Sequence, residues 1–222
     1  MRRQQFERFG GDPPSLAKLD GAGLLEALTT DNRWQRQTVQ RLIADRHDKS
    51  LVEPLRDLLA KQSGQTALEA LWALRASGGL NEESALQALD HEDAYVRLWT
   101  VRLVGDDGQL TPGLRKKLTD LAYREPQVEV RSQLACSARR LSANDGFPIV
   151  RNLLTRSEDA SDIHIPLLIW WAIEAKADAA RDAVVQLVRD PAVWQLPLVR
   201  DHIAQRLMRR YAMPGTRKDL LT

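Results

Sequence analysis

One cysteine, Cys136, stands among 222 residues, so neither an intrachain disulfide nor a Cys-x-x-Cys-His haem attachment site is possible. A single thiol leaves the redox compartment open, and on a helical stripe it reads as a small buried hydrophobe. Long apolar runs are scarce too. The longest, Ile165-Pro166-Leu167-Leu168-Ile169-Trp170-Trp171-Ala172-Ile173, has nine residues, whereas a membrane-spanning helix needs about 20. It reads as a core helix covered on more than one side. Met1-Arg2-Arg3-Gln4-Gln5-Phe6 carries charge with no apolar run behind it, so it does not read as a signal peptide as it stands. Alternating β-branched runs are missing, and no strand is expected. Gly-rich phosphate loops, Gly-x-Ser-x-Gly and His-Glu-x-x-His are also missing. The acid pairs Glu82-Glu83 and Asp106-Asp107 fall at expected helix ends or loops, where capping and solubility account for them.

A strong charge of either sign is lacking as well. The net charge is +2. Residues 1–8 carry +2 and residues 197–222 carry +4, which leaves −4 for residues 9–196. A continuous nucleic-acid groove shows the reverse distribution. Hydrophobic content of 43% and charged content of 28% are those of an ordinary folded chain, long enough for one sizeable core or for an array of repeats.

What is present is helical periodicity. In Asn32-Arg33-Trp34-Gln35-Arg36-Gln37-Thr38-Val39-Gln40-Arg41-Leu42-Ile43 the apolar residues fall at 34, 38, 39, 42 and 43, one stripe of an amphipathic helix. The same reading gives helices at 24–28, 31–46, 51–61, 66–76, 81–89, 93–105, 111–123, 126–141, 145–156, 163–176, 178–189 and 195–212. Asp31, Asn81 and Asp93 are placed as N-caps. Thr111-Pro112 is an N-cap followed by Pro at the first helical position.

These twelve helices pair into six units, whose second helices begin near 31, 64, 93, 126, 162 and 195. A period of about 33 residues means a stacked array in which each unit covers the apolar face of the next. Trp-x-x-Leu-Gly-x-x-Tyr and Thr-Pro-Leu-His, the marks of tetratricopeptide and ankyrin repeats, are absent. Asp93-Ala94-Tyr95-Val96-Arg97 and Glu125-Pro126-Gln127-Val128-Glu129-Val130-Arg131 each place an acid ahead of a second helix and an Arg after an apolar residue, which resembles a short HEAT repeat. The expected fold is all-α, a right-handed α-solenoid of about six HEAT-like helix pairs. A lead-in spans 1–15 and the array 16–212. Residues 213–222, with Met213-Pro214-Gly215 as a turn and Leu220-Leu221 as first apolar residues, read as the start of a further repeat or linker.

Arg36, Arg97 and Arg131 recur at one repeat position. They read either as phosphate contacts along a concave face or as forks that bond an acid or a helix-end carbonyl of the next unit; recurrence favours the second. Six Trp stand beside three Phe. Each Trp lies at or next to an apolar helical position, which favours packing, but Trp170 and Trp171 are about 100° apart on a helix, so that Trp171 can reach a groove. Arg200, Arg206, Arg209, Arg210, Arg217 and Lys218 form a basic cluster. It reads as a solvated helix face or as an attractor for an acidic partner. Arg206, Arg209 and Arg210 join Arg36, Arg97, Arg131 and Trp171 as the candidate binding residues. His91-Glu92 resembles half of the iron-holding pairs of HEAT-repeat deoxyhypusine hydroxylases. That chemistry needs several such pairs, and His47, His164 and His202 have no adjacent Glu.

The 32–46 segment, together with Ala70-Leu71-Trp72-Ala73-Leu74, Ile165 to Ala172 and Arg206-Leu207-Met208-Arg209-Arg210-Tyr211, resembles the HEAT-repeat region of large bacterial membrane-bound dehydrogenases with a haem-binding region. The resemblance covers roughly residues 15–222. Such proteins join a sugar-dehydrogenase-like β-propeller, a helical array and a c-type cytochrome domain. The resemblance implies a non-catalytic scaffold or protein-docking module whose partners are neighbouring domains of a longer polypeptide. It also implies a periplasmic or envelope location, reached through an upstream signal peptide. No catalytic, cofactor or metal residues are assigned, since haem c would need the missing Cys-x-x-Cys-His. The alternative is a DNA-binding HEAT-repeat enzyme of the alkylbase DNA glycosylase type, in which Trp and Asp work in a basic cleft. The acidic body of the chain speaks against it.

Overall fold

The structure is a computed structural model and describes residues 16–212. The expected lead-in and the expected start of a further repeat lie outside the described residues. Among these described residues twelve α-helices follow one another. They are α1 (Gly21–Leu28), α2 (Arg33–Arg46), α3 (Val52–Lys61), α4 (Gly64–Ala76), α5 (Glu82–Ala88), α6 (Ala94–Asp106), α7 (Pro112–Arg124), α8 (Val128–Arg140), α9 (Ala143–Leu154), α10 (Ile165–Glu174), α11 (Arg181–Leu187) and α12 (Ala204–Ala212). Short 3₁₀ turns lie at Lys49–Leu51, Ser157–Ser161 and Pro191–Gln195, and a π-turn at Val199–Ile203. No strand occurs among the described residues, and no described helix is long and apolar enough to cross a membrane.

The helix starts follow their capping chemistry. Asn32 accepts from the backbone of Trp34 and Gln35 and so caps α2 one residue later than Asp31 would. Asn81 and Ser84 form a reciprocal capping box on α5. Thr111 caps α7 with Pro112 at its first position. Asp93 accepts from the backbone of Tyr95 and also from Gly64 at the start of α4, at 2.6 Å. Burial opposes the charge of Asp93, but the N–H groups of Gly64, Tyr95 and Val96 outweigh it and hold the carboxyl below its usual range.

The chain divides into two compact units, Met1–Thr100 and Val101–Thr222. In the first, α1 packs on α2, α2 on α4, and α3 on both α4 and α5. Its core holds Leu24, Leu28, Ile43, Leu55, Leu71 and Leu74, all shut off from solvent. In the second, α7 packs on α9, α8 on α9 and α10, α9 on α11, and α10 on α12. Leu118, Leu134, Ile149, Leu153, Ile169 and Ile173 fill its core. Helices therefore touch neighbours one and two elements along the chain. Each buried Leu or Ile contributes about 1.5–3 kcal/mol, so the packing of these stripes, rather than propensity, holds the short helices.

Candidate binding surfaces

The recurring arginines make a recurring bond pattern. In the first unit the Arg36 Nε donates to Glu69 Oε1 at 2.8 Å, and Nη1 donates to the Thr30 carbonyl at 2.8 Å. In the second the Arg131 Nε donates to Asp159 Oδ2 at 2.6 Å, and Nη1 donates to the carbonyls of Glu125 and Pro126. Each guanidinium thus closes the turn ahead of its own helix and reaches an acid about thirty residues on. Arg97 closes its own turn in the same way, through the carbonyls of His91 and Glu92. Arg131 and Asp159 are almost completely buried. A buried pair persists only where every charge is bonded. Here the planar fork meets that demand, and a lysine would not.

Other donors finish neighbouring helix ends. Arg156 donates to the carbonyls of Tyr123 and Glu125 at the end of α7. Lys176 Nζ donates to the Ala138 and Arg139 carbonyls at the end of α8 and to Ala172. Desolvation, helped by the nearby Arg139 charge, pushes its ammonium down to about 8. His91 spends both ring nitrogens. Its Nδ1 accepts from the Asp93 backbone, which assigns the proton to Nε2, and Nε2 lies 3.1 and 3.0 Å from the Leu59 and Gln62 carbonyls. Metal ligation through Nε2 would cost the two carbonyl contacts, and through Nδ1 the bond from the Asp93 backbone. Among the described residues no group of three or more His, Cys, Asp or Glu side chains is placed to hold a metal ion.

The remaining sequence candidates gather in the second unit. Trp170 is buried, while Trp171 is 40% exposed with the Arg139 guanidinium 5.9 Å from its ring centroid. Arg210 pairs with Asp178 at 2.6 Å, and Arg206 donates to the His202 carbonyl in the π-turn just ahead of its helix. Arg209 is exposed. Cys136 is half-buried rather than fully buried. Burial pushes its thiol up, against the pull of Arg140, Arg102 and Arg139.

A groove runs between α2 and α4, with a volume of about 780 Å³. Arg33, Arg36, Gln37, Gln40 and Arg41 form one wall, and Gln65, Glu69, Trp72 and Ala76 the other. Its floor is the Glu69 carboxylate, bonded by Arg36, Gln40 and Gln65. Trp72 packs edge-to-face on Trp99, ring centroids 5.0 Å apart. Sequence reading singled out Arg36 and missed Arg33 and Arg41. The signal was available: 33, 37 and 41 are i, i+4 and i+8, one polar stripe of α2. Comparison with protein families, with curated proteins and with solved structures finds no match.

Proposed function

We propose that this chain is a non-catalytic scaffold that docks neighbouring domains of a longer polypeptide, built as a HEAT-like right-handed α-solenoid of about six helix pairs. The observation that carries the reading is the shared lock at Arg36 and Arg131. Two second helices, far apart in sequence, use the same residue at the same position to bind their own preceding turn and a later acid. A bond repeated from one helix pair to the next supports the reading of a stacked array, in which each unit contacts its neighbours. It also assigns the most prominent polar residues of the sequence to holding helices together. The resemblance to the helical region between a dehydrogenase-like propeller and a c-type cytochrome domain supports the docking role.

The test begins with the adjoining coding sequence. The flanking segments are purified and titrated against the chain by calorimetry, with a stoichiometric complex at micromolar affinity or better as the expected result. Small-angle scattering tests the solenoid. A compact chain of 222 residues has a radius of gyration of about 17 Å, and a solenoid exceeds it. A compact value removes the solenoid. Release of an alkylated base from duplex DNA, with steep salt dependence, would replace the scaffold by a DNA-acting enzyme.

A further inference from the structure

We propose that the groove between α2 and α4 takes a short, extended, acidic segment of a protein partner, held at its two ends by Arg33 and Arg41. The inference rests on the docking reading above and names the partner's chemistry at one surface. The Arg33 guanidinium is exposed and has no hydrogen bond or ion pair among the described residues. Among the described residues the only ion pair of Arg41 is a loose one of 3.6 Å to Asp45, with both side chains mostly in solvent, a contact worth little. Arg36, between them, is committed to Glu69 and Thr30. The floor carboxylate is therefore already neutralised, and the two rim arginines have charge to spare.

The concentration of charge is local. α2 carries four Arg and one Asp, whereas residues 16–100 as a whole carry ten Lys/Arg against thirteen Asp/Glu. A cationic groove in an acidic surrounding selects a short anionic segment. A nucleic-acid backbone, with a charge at every phosphate, would continue past the groove onto Asp31 and Asp45, both exposed beyond its ends. Two carboxylates meet no such penalty.

Spacing gives the recognition pattern. Arg33 and Arg41 lie eight residues apart, about 12 Å along the helix axis. An extended chain rises about 3.3 Å per residue, and side chains at i, i+2 and i+4 share one face. Acids at i and i+4 therefore reach the two arginines, while the residue at i+2 faces the groove interior, where the Trp72 indole offers apolar wall. The free carboxamide of Gln37 is a donor for the segment's backbone between them. The pattern is Glu-x-apolar-x-Glu in extended conformation.

The probe is a fluorescein-labelled peptide, Gly-Glu-Ser-Leu-Ser-Glu-Gly with blocked ends, titrated with the full chain at low ionic strength and read by anisotropy. Saturable binding is expected. The Arg33→Glu/Arg41→Glu double variant should weaken it at least tenfold, and Lys61→Glu, at an exposed position of α3, should leave it unchanged. A peptide with Lys in place of both Glu should bind the double variant and not the parent. Circular dichroism checks that the variants keep their helix content, as expected for solvent-facing positions. Absence of saturable binding, indifference to the double variant, or tighter binding of a short DNA duplex through the same arginines would each overturn the proposal. Flanking domains that bind equally well to the double variant would remove the groove and leave the docking role. Flanking domains that do not bind the parent at all would remove the docking role itself.

Discussion

Arg36 and Arg131 hold equivalent places, yet their loss should cost different amounts. Among the described residues the only side-chain partner of Asp159 is Arg131, and Asp159 is almost fully buried. Arg131→Ala strands that carboxylate, a loss of about 3–5 kcal/mol. Glu69 keeps Gln40 and Gln65 when Arg36 is removed, so Arg36→Ala should cost only about 1–2 kcal/mol. Urea unfolding of both variants checks the order, and a larger loss at Arg36 would contradict it. The arginines were legible in sequence because they recur after an apolar residue. Their acids were not, because Glu69 sits in the body of α4 whereas Asp159 sits in a 3₁₀ turn, so the acids share no local context. Lys176 supplies a pH-dependent test at the same scale. Its folded pKa is about 8, against 10.5 for a free lysine. Between these values the unfolded chain holds a proton that the folded chain has lost, so stability rises with pH across pH 8–10.5, by at most about 3 kcal/mol. Below pH 8 this residue contributes no slope. Lys176→Met should abolish the rise in a series of urea titrations; an unchanged rise would place its origin elsewhere.

Helix existence was legible almost throughout, since periodicity and caps agree in one sequence. The expected 111–123 helix is found at Pro112–Arg124 and the expected 66–76 helix at Gly64–Ala76. The exception is the 195–212 segment, expected as one helix. Gln195 falls in the 3₁₀ turn at Pro191–Gln195, and from 197 to 212 the backbone stays helical, with the π-turn at Val199–Ile203 leading directly into α12. Pro191 and Pro197 each lack a backbone donor, which limits how far upstream regular bonding can begin. Pattern analysis reads apolar spacing and cannot distinguish a π-turn from an α-turn within five residues. Helix contacts were less legible, and Gly146 shows why. By propensity, Gly146→Ala in α9 should stabilise by about 1 kcal/mol. In the fold a Cβ there would lie 2.7 Å from the Ala138 carbonyl of α8 and 3.4 Å from Lys176 Cε. The glycine lets the end of α8 be approached by α9 and by the lysine together. Gly146→Ala should therefore destabilise by about 1–3 kcal/mol, as overpacking does. A raised melting temperature would mean that the approach is looser than this geometry.

At the scale of the whole chain, charge separates the scaffold reading from the DNA-acting one. Residues 101–212 carry seventeen Lys/Arg against fourteen Asp/Glu, the reverse sign of residues 16–100. Composition therefore leaves a basic second unit open to nucleic acid, and only side-chain placement shows how much of that charge is spent. Arg131 is buried on Asp159, Arg140 pairs with Asp106, Arg115 with Asp145, Lys116 with Asp120, and Arg210 with Asp178. Arg156 and Lys176 are turned to helix-end carbonyls. Arg139, over Trp171, and Arg209 remain as exposed cations of the region that sequence reading picked out. If about three cations reach phosphate, log K falls with log salt at a slope near −3. Between 50 and 200 mM salt that loses less than about a hundredfold, against the thousandfold or more of proteins that make six to ten phosphate contacts. Anisotropy titrations of a 20-base-pair duplex across that range should give weak binding with the shallow slope. Arg139→Ala should reduce the slope by about one, and Arg36→Ala, whose guanidinium is held by Glu69 and Thr30, should leave it unchanged. A slope of −6 or steeper would mean six or more phosphate contacts, and the scaffold reading would then give way to the DNA-acting one.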